Sequence, residues 1–124
     1  TPAWTITSID EDNNWTSAED PCALELGGSW RLPTYTEWYN VDDAGFWENE
    51  SDPYNSELKL HTAGILHYSN GHILLRGTRG YYWSSNQYNT TQGWHYTFFY
   101  WEPSSLCFMQ YNEKAMGFPV RCIK

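Results

Sequence analysis

The chain has 124 residues and a formal net charge of −8, with seven Lys and Arg against fifteen Asp and Glu. A single domain of this length can bury most of itself in one core. The negative excess argues against nucleic acid, whose binding draws on phosphate neutralisation, and against anionic membrane surfaces. Aromatic residues are 19% of the chain, including eight Trp and ten Tyr, far more than a disordered segment carries.

In chain order, Ala3-Trp4-Thr5-Ile6-Thr7 alternates and is β-prone, so it is expected to be a first strand. Acidic residues gather at Asp10, Glu11, Asp12, Glu19 and Asp20, and again at Asp42, Asp43, Glu48, Glu50 and Asp52. They are read as a solvated face; a calcium site of clustered carboxylates is the sharper alternative, although no EF-hand pattern is present. Ser17 to Leu26 is expected to hold a short helix, with Ser17 as cap, Pro21 in the first turn and Gly27-Gly28 as the stop.

Thr34-Tyr35-Thr36-Glu37 fits a capping box. Pro33 keeps Leu32 out of helical angles, so the predicted helix runs from about Tyr35 to Asp43. Tyr35, Trp38 and Val41 then share an inward face. Phe46 to Lys59 reads as a loop. Gly64 to Leu75 reads as a β-hairpin turning at Asn70-Gly71.

Tyr81 to Ser85 and Trp94 to Trp101 are expected strands, followed by Leu106 to Tyr111 and Phe118 to Ile123. Along Trp94–Trp101 one face carries Trp94, Tyr96, Phe98 and Tyr100, and the other carries His95, Thr97, Phe99 and Trp101. Both faces are apolar or aromatic, so either both are covered or one is an exposed patch of the kind that marks binding sites. One or two short helices followed by a mostly antiparallel twisted sheet is an α+β order, read as a single domain over residues 1–124.

The longest apolar runs, Ile73–Leu75 and Phe98–Trp101, fall far below membrane-spanning length, so no direct membrane insertion is expected. The chain begins at Thr1 without a signal-peptide pattern, and is read as a trimmed chain, a mature protein or an excised domain. Its cysteines, Cys22, Cys107 and Cys122, show no CxxC spacing, so no zinc site is expected. A bridge between Cys22 and Cys122 would close a loop of roughly 100 residues, worth about 4–5 kcal/mol in the chain-entropy account. Cys107 would then be either a small buried hydrophobe or an exposed thiol.

Three ordered motifs stand out: Gly28-Ser29-Trp30-Arg31-Leu32-Pro33-Thr34 with Glu37-Trp38, Gly80-Tyr81-Tyr82-Trp83-Ser84-Ser85, and Gly117-Phe118-Pro119-Val120-Arg121-Cys122. Together with Asp20-Pro21-Cys22 they resemble the Fibrobacter succinogenes major paralogous domain family of bacterial surface proteins, over about Asp20 to Lys124. The resemblance implies a C-type-lectin-like fold related to the formylglycine-generating enzyme. Its terminal strands pair, in agreement with a Cys22–Cys122 disulfide. It also implies an extracellular or cell-surface setting, lipid-anchored or at a pilus tip. Within the motifs, Trp30 and Trp83 are expected core fillers. Arg31 and Arg121 are expected as buried ion-pair partners, and Ser84 and Ser85 as satisfying backbone groups.

The region between the second and third motifs also resembles the variable region of diversity-generating retroelement proteins of this fold. There, adenine-directed mutagenesis of AAC codons can yield Asn, Tyr, His, Asp, Ser, Thr, Phe or Leu, among others. It cannot yield Trp, Gln, Glu, Lys or Met. Asn86, Tyr88, Asn89, His95, Phe99, Tyr100, Ser104, Ser105, Leu106, Tyr111 and Asn112 are all allowed products. Trp94, Trp101, Gln110, Glu113 and Lys114 are not, and would be fixed scaffold.

Catalysis draws little support: GxSxG, HExxH, P-loop and GxGxxG patterns are absent. Cys107 has no evident partner for chemistry resembling the formylglycine-generating enzyme if Cys122 is bridged. His61, His67, His72 and His95 are read as polar surface or core residues, and no metal or cofactor is expected. Calcium-mediated sugar binding would need a Glu-Pro-Asn or Gln-Pro-Asp run, whereas the chain has Glu102-Pro103-Ser104. Asn14-Trp15-Thr16 and Asn89-Thr90-Thr91 match the glycosylation pattern and are read as coincidental.

The expected function is therefore an extracellular ligand-binding or display module and not an enzyme. Its expected ligand-binding residues are Asn86, Tyr88, Asn89, His95, Phe99, Tyr100, Trp101, Ser104, Ser105, Tyr111 and Asn112, contacting a protein ligand or surface receptor. The alternatives are calcium-independent glycan binding and a structural or adhesin domain that packs its aromatic region on a neighbour.

Overall fold

The computed structural model describes residues 12–102 and 104–124, so the expected strand Ala3–Thr7 and the acidic pair Asp10 and Glu11 lie outside the described residues. Among the described residues the order is three short helices and then five strands, all paired antiparallel: an α+β domain.

The first helix, α1 (Pro21–Leu26), begins later than the expected Ser17, because its cap is Asp20. The Asp20 carboxylate accepts from Cys22 N at 2.8 Å and, with its other oxygen, from Leu32 N at 2.8 Å. One buried side chain thus caps the helix and ties it to the segment leading into the next, which Ser17, exposed in a turn, does not do. Pro21 sits in the first turn, where its missing N–H costs nothing, and Gly27 closes the helix at φ 71°.

The second helix, α2 (Tyr35–Gly45), has the full capping box: Thr34 Oγ1 accepts from Glu37 N, and Glu37 Oε2 accepts from Thr34 N at 2.8 Å. Arg31 closes on Glu37 through two bonds of 2.8 and 2.7 Å. These hold the Glu37 carboxyl down at about 2, with Arg31 the leading cause. Arg31 therefore does form an ion pair, but an exposed one. Trp38 is buried and points its indole N–H at Trp83 O. The expected loop after α2 contains a further short helix, α3 (Asp52–Asn55), started by Pro53 and by Asp52 bonding back to Glu48 N and Asn49 N.

The predicted hairpin forms as β1 (Ile65–Leu66) and β2 (Ile73–Leu74), with Ile65 opposite Leu74. Gly71 takes the positive φ in the connection. The main sheet has the order β3–β4–β5, built from Arg79–Gln87, Gln92–Trp101 and Ser104–Glu113. Gly80 faces Phe98 across β3 and β4, and a Cβ there would fall inside the Phe98 ring. This is a close approach that only Gly permits.

The expected last strand, Phe118–Ile123, does not form. Pro119 lacks the N–H a ladder needs, and isolated bridges form instead, one by Gly117 just before the segment, with Leu66, and one by Ile123 within it, with Arg31. The latter lies beside the Cys22–Cys122 disulfide, which spans a sequence separation of 100.

Both faces of the sheet are covered along its middle. On one, α2 and the chain after it pack Trp38, Trp47 and Leu60 onto Tyr82, Tyr96 and Phe98. On the other, Ile65 and Phe118 pack on Tyr81, with Trp83 and Met116 at the margin. Trp38 stacks on Tyr96 at 5.4 Å and Trp83 on Phe118 at 4.3 Å. Truncating one of the fully buried aromatics is worth about 3–5 kcal/mol.

Candidate functional site

Since both faces of β4 are covered in the middle, its aromatic residues reach the surface only toward its two ends. His95 is fully buried and Phe99 is 8% exposed. Neither can touch a macromolecular partner in this conformation, which corrects the expectation for these two residues. For His95 the cause is a second layer, in which Tyr81, Trp83 and Phe118 surround the imidazole at centroid distances of 5.4, 5.8 and 4.7 Å; Phe99 lies under Arg79 and edge-on to Phe108. Among the described residues neither His95 nitrogen has a hydrogen-bond partner, and burial lowers its pKa to about 4.

At the first end, Tyr88 and Tyr111 stack at 3.8 Å with planes 4° apart. Trp94 stands edge-on to both, at 5.2 and 5.4 Å, and Tyr35 from α2 meets Trp94 at 4.9 Å. Asn86, Asn89 and Asn112 surround this end, each with its side-chain oxygen bound to backbone: to Tyr35 N, to Thr91 N and Gln92 N, and to Glu113 N. Lys114 Nζ bonds Gln87 Oε1 and Thr90 O, both at 2.9 Å, and so fastens the β3–β4 turn. Tyr88 and Tyr111 remain 46% and 42% exposed on this fixed base.

At the other end, Tyr100 and Trp101 are exposed at the tip of β4, opposite Ser105 and Ser104. Arg79 lies 4.3 Å from the Phe99 ring centroid and 5.6 Å from that of Trp101. Ser105 donates to Glu50, which holds this tip to the chain after α2. The two clusters are seven residues apart along β4, roughly 23 Å at about 3.3 Å per residue. The expected ligand-binding residues therefore divide into two separate surfaces and a buried centre.

Between them lies a buried polar group on the α2 side. Burial raises the Tyr96 hydroxyl far above its ordinary pKa, Asp42 is also raised by burial, and Cys107 is pushed up to about 11. Cys107 is half-buried and donates to Asn49 O at 3.3 Å. All three are biased toward their uncharged forms, the opposite of what an activated thiol nucleophile needs.

In the second motif, Trp83 is partly buried against the Tyr81–Phe118 cluster and is not the full core filler expected, and Ser84 Oγ donates to Trp94 O at 2.8 Å. In the third, Arg121 is exposed and makes no ion pair among the described residues, because no carboxylate reaches it, and an unpaired guanidinium stays in water. Trp30 is half-buried beneath Lys124 Nζ, 6.0 Å from its ring.

One feature escaped the linear reading. Lys59, Arg76 and Arg121 are far apart in sequence, yet line one cleft of about 700 Å³. The sparseness of Lys and Arg in so acidic a chain was the available signal, but nothing in the spacing shows that three of them converge. Among the described residues no group of three or more His, Cys, Asp or Glu is placed to hold a metal ion. No helix there is long and apolar enough to cross a membrane.

Fold and surface together define a small α+β domain whose two sheets among the described residues are antiparallel, with an aromatic cluster at each end of the larger one. The family described as "Domain of unknown function (DUF8237)" matches residues 39–123, most of the chain, and the protein belongs to that family. No curated protein and no solved structure matches the chain.

Proposed function

We propose that this chain is an extracellular ligand-binding domain of C-type-lectin-like fold, resembling the bacterial surface family named above, and that it binds a protein ligand at the Tyr88–Trp94–Tyr111 end of the sheet. The observation that carries the reading is the Tyr88–Tyr111 stack, half exposed and braced by Trp94 and Tyr35. Stacked tyrosines on a rigid sheet offer large contact area with little entropy left to lose on binding. The Cys22–Cys122 disulfide supports an oxidising, extracellular setting.

The variable-protein resemblance draws support from the same place. Asn86, Tyr88, Asn89, Tyr111 and Asn112 gather around Trp94 and Lys114, two residues that such mutagenesis could not produce and that brace this end. The test is a library randomised at these five positions. If they form a tolerant display face, most members keep a melting temperature within a few degrees of the parent, and binders to a test protein such as lysozyme can be selected. A library that mostly unfolds would sink the display reading.

Glycan binding is the alternative at the same surface, since paired aromatic faces also stack on sugar rings. Titration with a soluble oligosaccharide such as cellohexaose, followed by Trp fluorescence, separates the two. A saturable change removed by Tyr88→Ala favours the glycan, and a flat titration favours protein. The structural or adhesin reading rests on the other end, where Tyr100 and Trp101 are 55% and 62% exposed. It gains if those two residues become buried against a neighbouring domain of a longer chain.

A further inference from the structure

Five of the seven basic residues already have neighbours within the chain. Arg31 pairs with Glu37, Arg79 lies over Phe99, Lys114 bonds Gln87 and Thr90, and Lys124 sits above Trp30. Lys59, whose Nζ donates to Asn55 O at 3.3 Å and lies 6.0 Å from the Tyr54 ring centroid, joins Arg76 and Arg121 in lining the cleft of about 700 Å³, together with His61 and no Asp or Glu. Neither guanidinium has an ion-pair partner among the described residues. The wall between them is fixed: Tyr82 Oη accepts from His61 N at 2.9 Å and donates to His61 O at 3.2 Å. Three cations concentrated on one side of a chain of net charge −8 create a local field that a small anion would find attractive.

The cleft does not end at Arg76. It shares Ala63, Arg76 and Pro119 with an adjoining groove of about 490 Å³, whose lining includes Ile65, Leu66 and Ile73. Leu66 and Ile73 are 47% and 59% exposed there. One end of the combined site is therefore cationic and the other apolar, with Arg76 at the join. Apolar walls with a few convergent polar groups are the usual make-up of a small-molecule site.

We propose that the cleft and groove together bind a small amphiphilic organic acid, with its carboxylate held by Arg76 and Arg121 and its apolar body lying along Ile65, Leu66 and Ile73. Guanidinium groups suit this task because their planar fork can meet a carboxylate with two parallel bonds. The site is apart from the Tyr88–Tyr111 stack, so it stands or falls independently of the proposed display face.

The test uses the full chain and three probes, octanoate, octanol and citrate, followed by amide chemical shifts in NMR titrations. Octanoate is expected to move the amides of residues 59–77 and 117–121 and to saturate. Octanol, which lacks the charge, and citrate, which lacks the apolar body, are each expected to bind at least tenfold more weakly. Arg76→Gln, Arg121→Gln and Ile73→Ser should each weaken octanoate at least fivefold with an unchanged melting temperature. Lys124→Gln, which removes a positive charge elsewhere, should leave binding alone. Equal binding of octanoate and octanol would overturn the proposal, as would citrate binding as tightly as octanoate. So would an Arg76→Gln variant indistinguishable from Lys124→Gln, or binding only of a peptide with an apolar C-terminal residue and not of octanoate.

Discussion

His95 is a base enclosed by the rings of Tyr81, Trp83 and Phe118, and no side chain of the described residues is placed to pair with its charged form. Burial depresses its folded-state pKa to about 4, whereas an unfolded His titrates near 6.5. Above pH ~6.5 both states are neutral and the residue carries no penalty. As pH falls from ~6.5 toward ~4 the unfolded chain takes up a proton that the folded chain refuses, and stability drops by about 3 kcal/mol in all. His95→Phe removes that proton site and two unpartnered nitrogens. Its urea-unfolding free energy should therefore fall less than the parent's between pH 7 and pH 4, by about 2–3 kcal/mol. Superimposable pH profiles for the two proteins would contradict the burial argument. Glu37 does not confuse the reading, because its pKa of about 2 places its loss of stabilisation lower, as pH falls from about 4.5 toward 2. The sequence placed His95 on one face of a strand correctly, but alternation alone cannot say which faces another layer will cover.

At the scale of elements, what could be read beforehand had a local cause. The capping box of α2 works through residues three apart, and it forms as Thr34 and Glu37 required. The β4 strand follows from its run of aromatic and β-prone residues, and it spans Gln92–Trp101. Where a distant group decided the outcome, the local reading missed it. Asp20 displaces Ser17 as the cap of α1 because Leu32 N, twelve residues on, shares its carboxylate. Pro119 was visible in the sequence, and its missing donor prevents a closing ladder that the apolar residues around it suggested. The Gly80–Phe98 approach carries an element-scale prediction. Gly80→Ala has no room for its methyl group unless Phe98 moves, and Phe98 is fully buried between Tyr82 and Tyr96. The expected cost is about 1–3 kcal/mol, read from the urea midpoint, with loosened Phe98 ring signals in NMR. An unchanged midpoint would show that the β3–β4 pairing yields without penalty.

For the whole molecule, the Cys22–Cys122 bridge ties the start of α1 to the end of the chain, with Arg31 N and O bonding Ile123 alongside at 2.9 Å each. Reduction, or Cys22→Ala with Cys122→Ala, should lower the unfolding free energy by about 4–5 kcal/mol if the constraint on the unfolded chain dominates. Urea unfolding with and without reductant measures it. A loss below about 1 kcal/mol would mean that the reduced chain keeps its ends together by other contacts. Sequence by itself determined the α+β order, the helix at Tyr35, the aromatic strands and the acidic character. Each depends on residue type and on neighbours a few positions away, where periodicity and capping act. Only the tertiary structure decided which aromatics stay exposed, because that depends on Trp38 and Trp47 packing on one side of the sheet and Phe118 on the other. It also decided that Lys59, Arg76 and Arg121 meet in one cleft, since their convergence arises from the path of the folded chain and leaves no pattern along it.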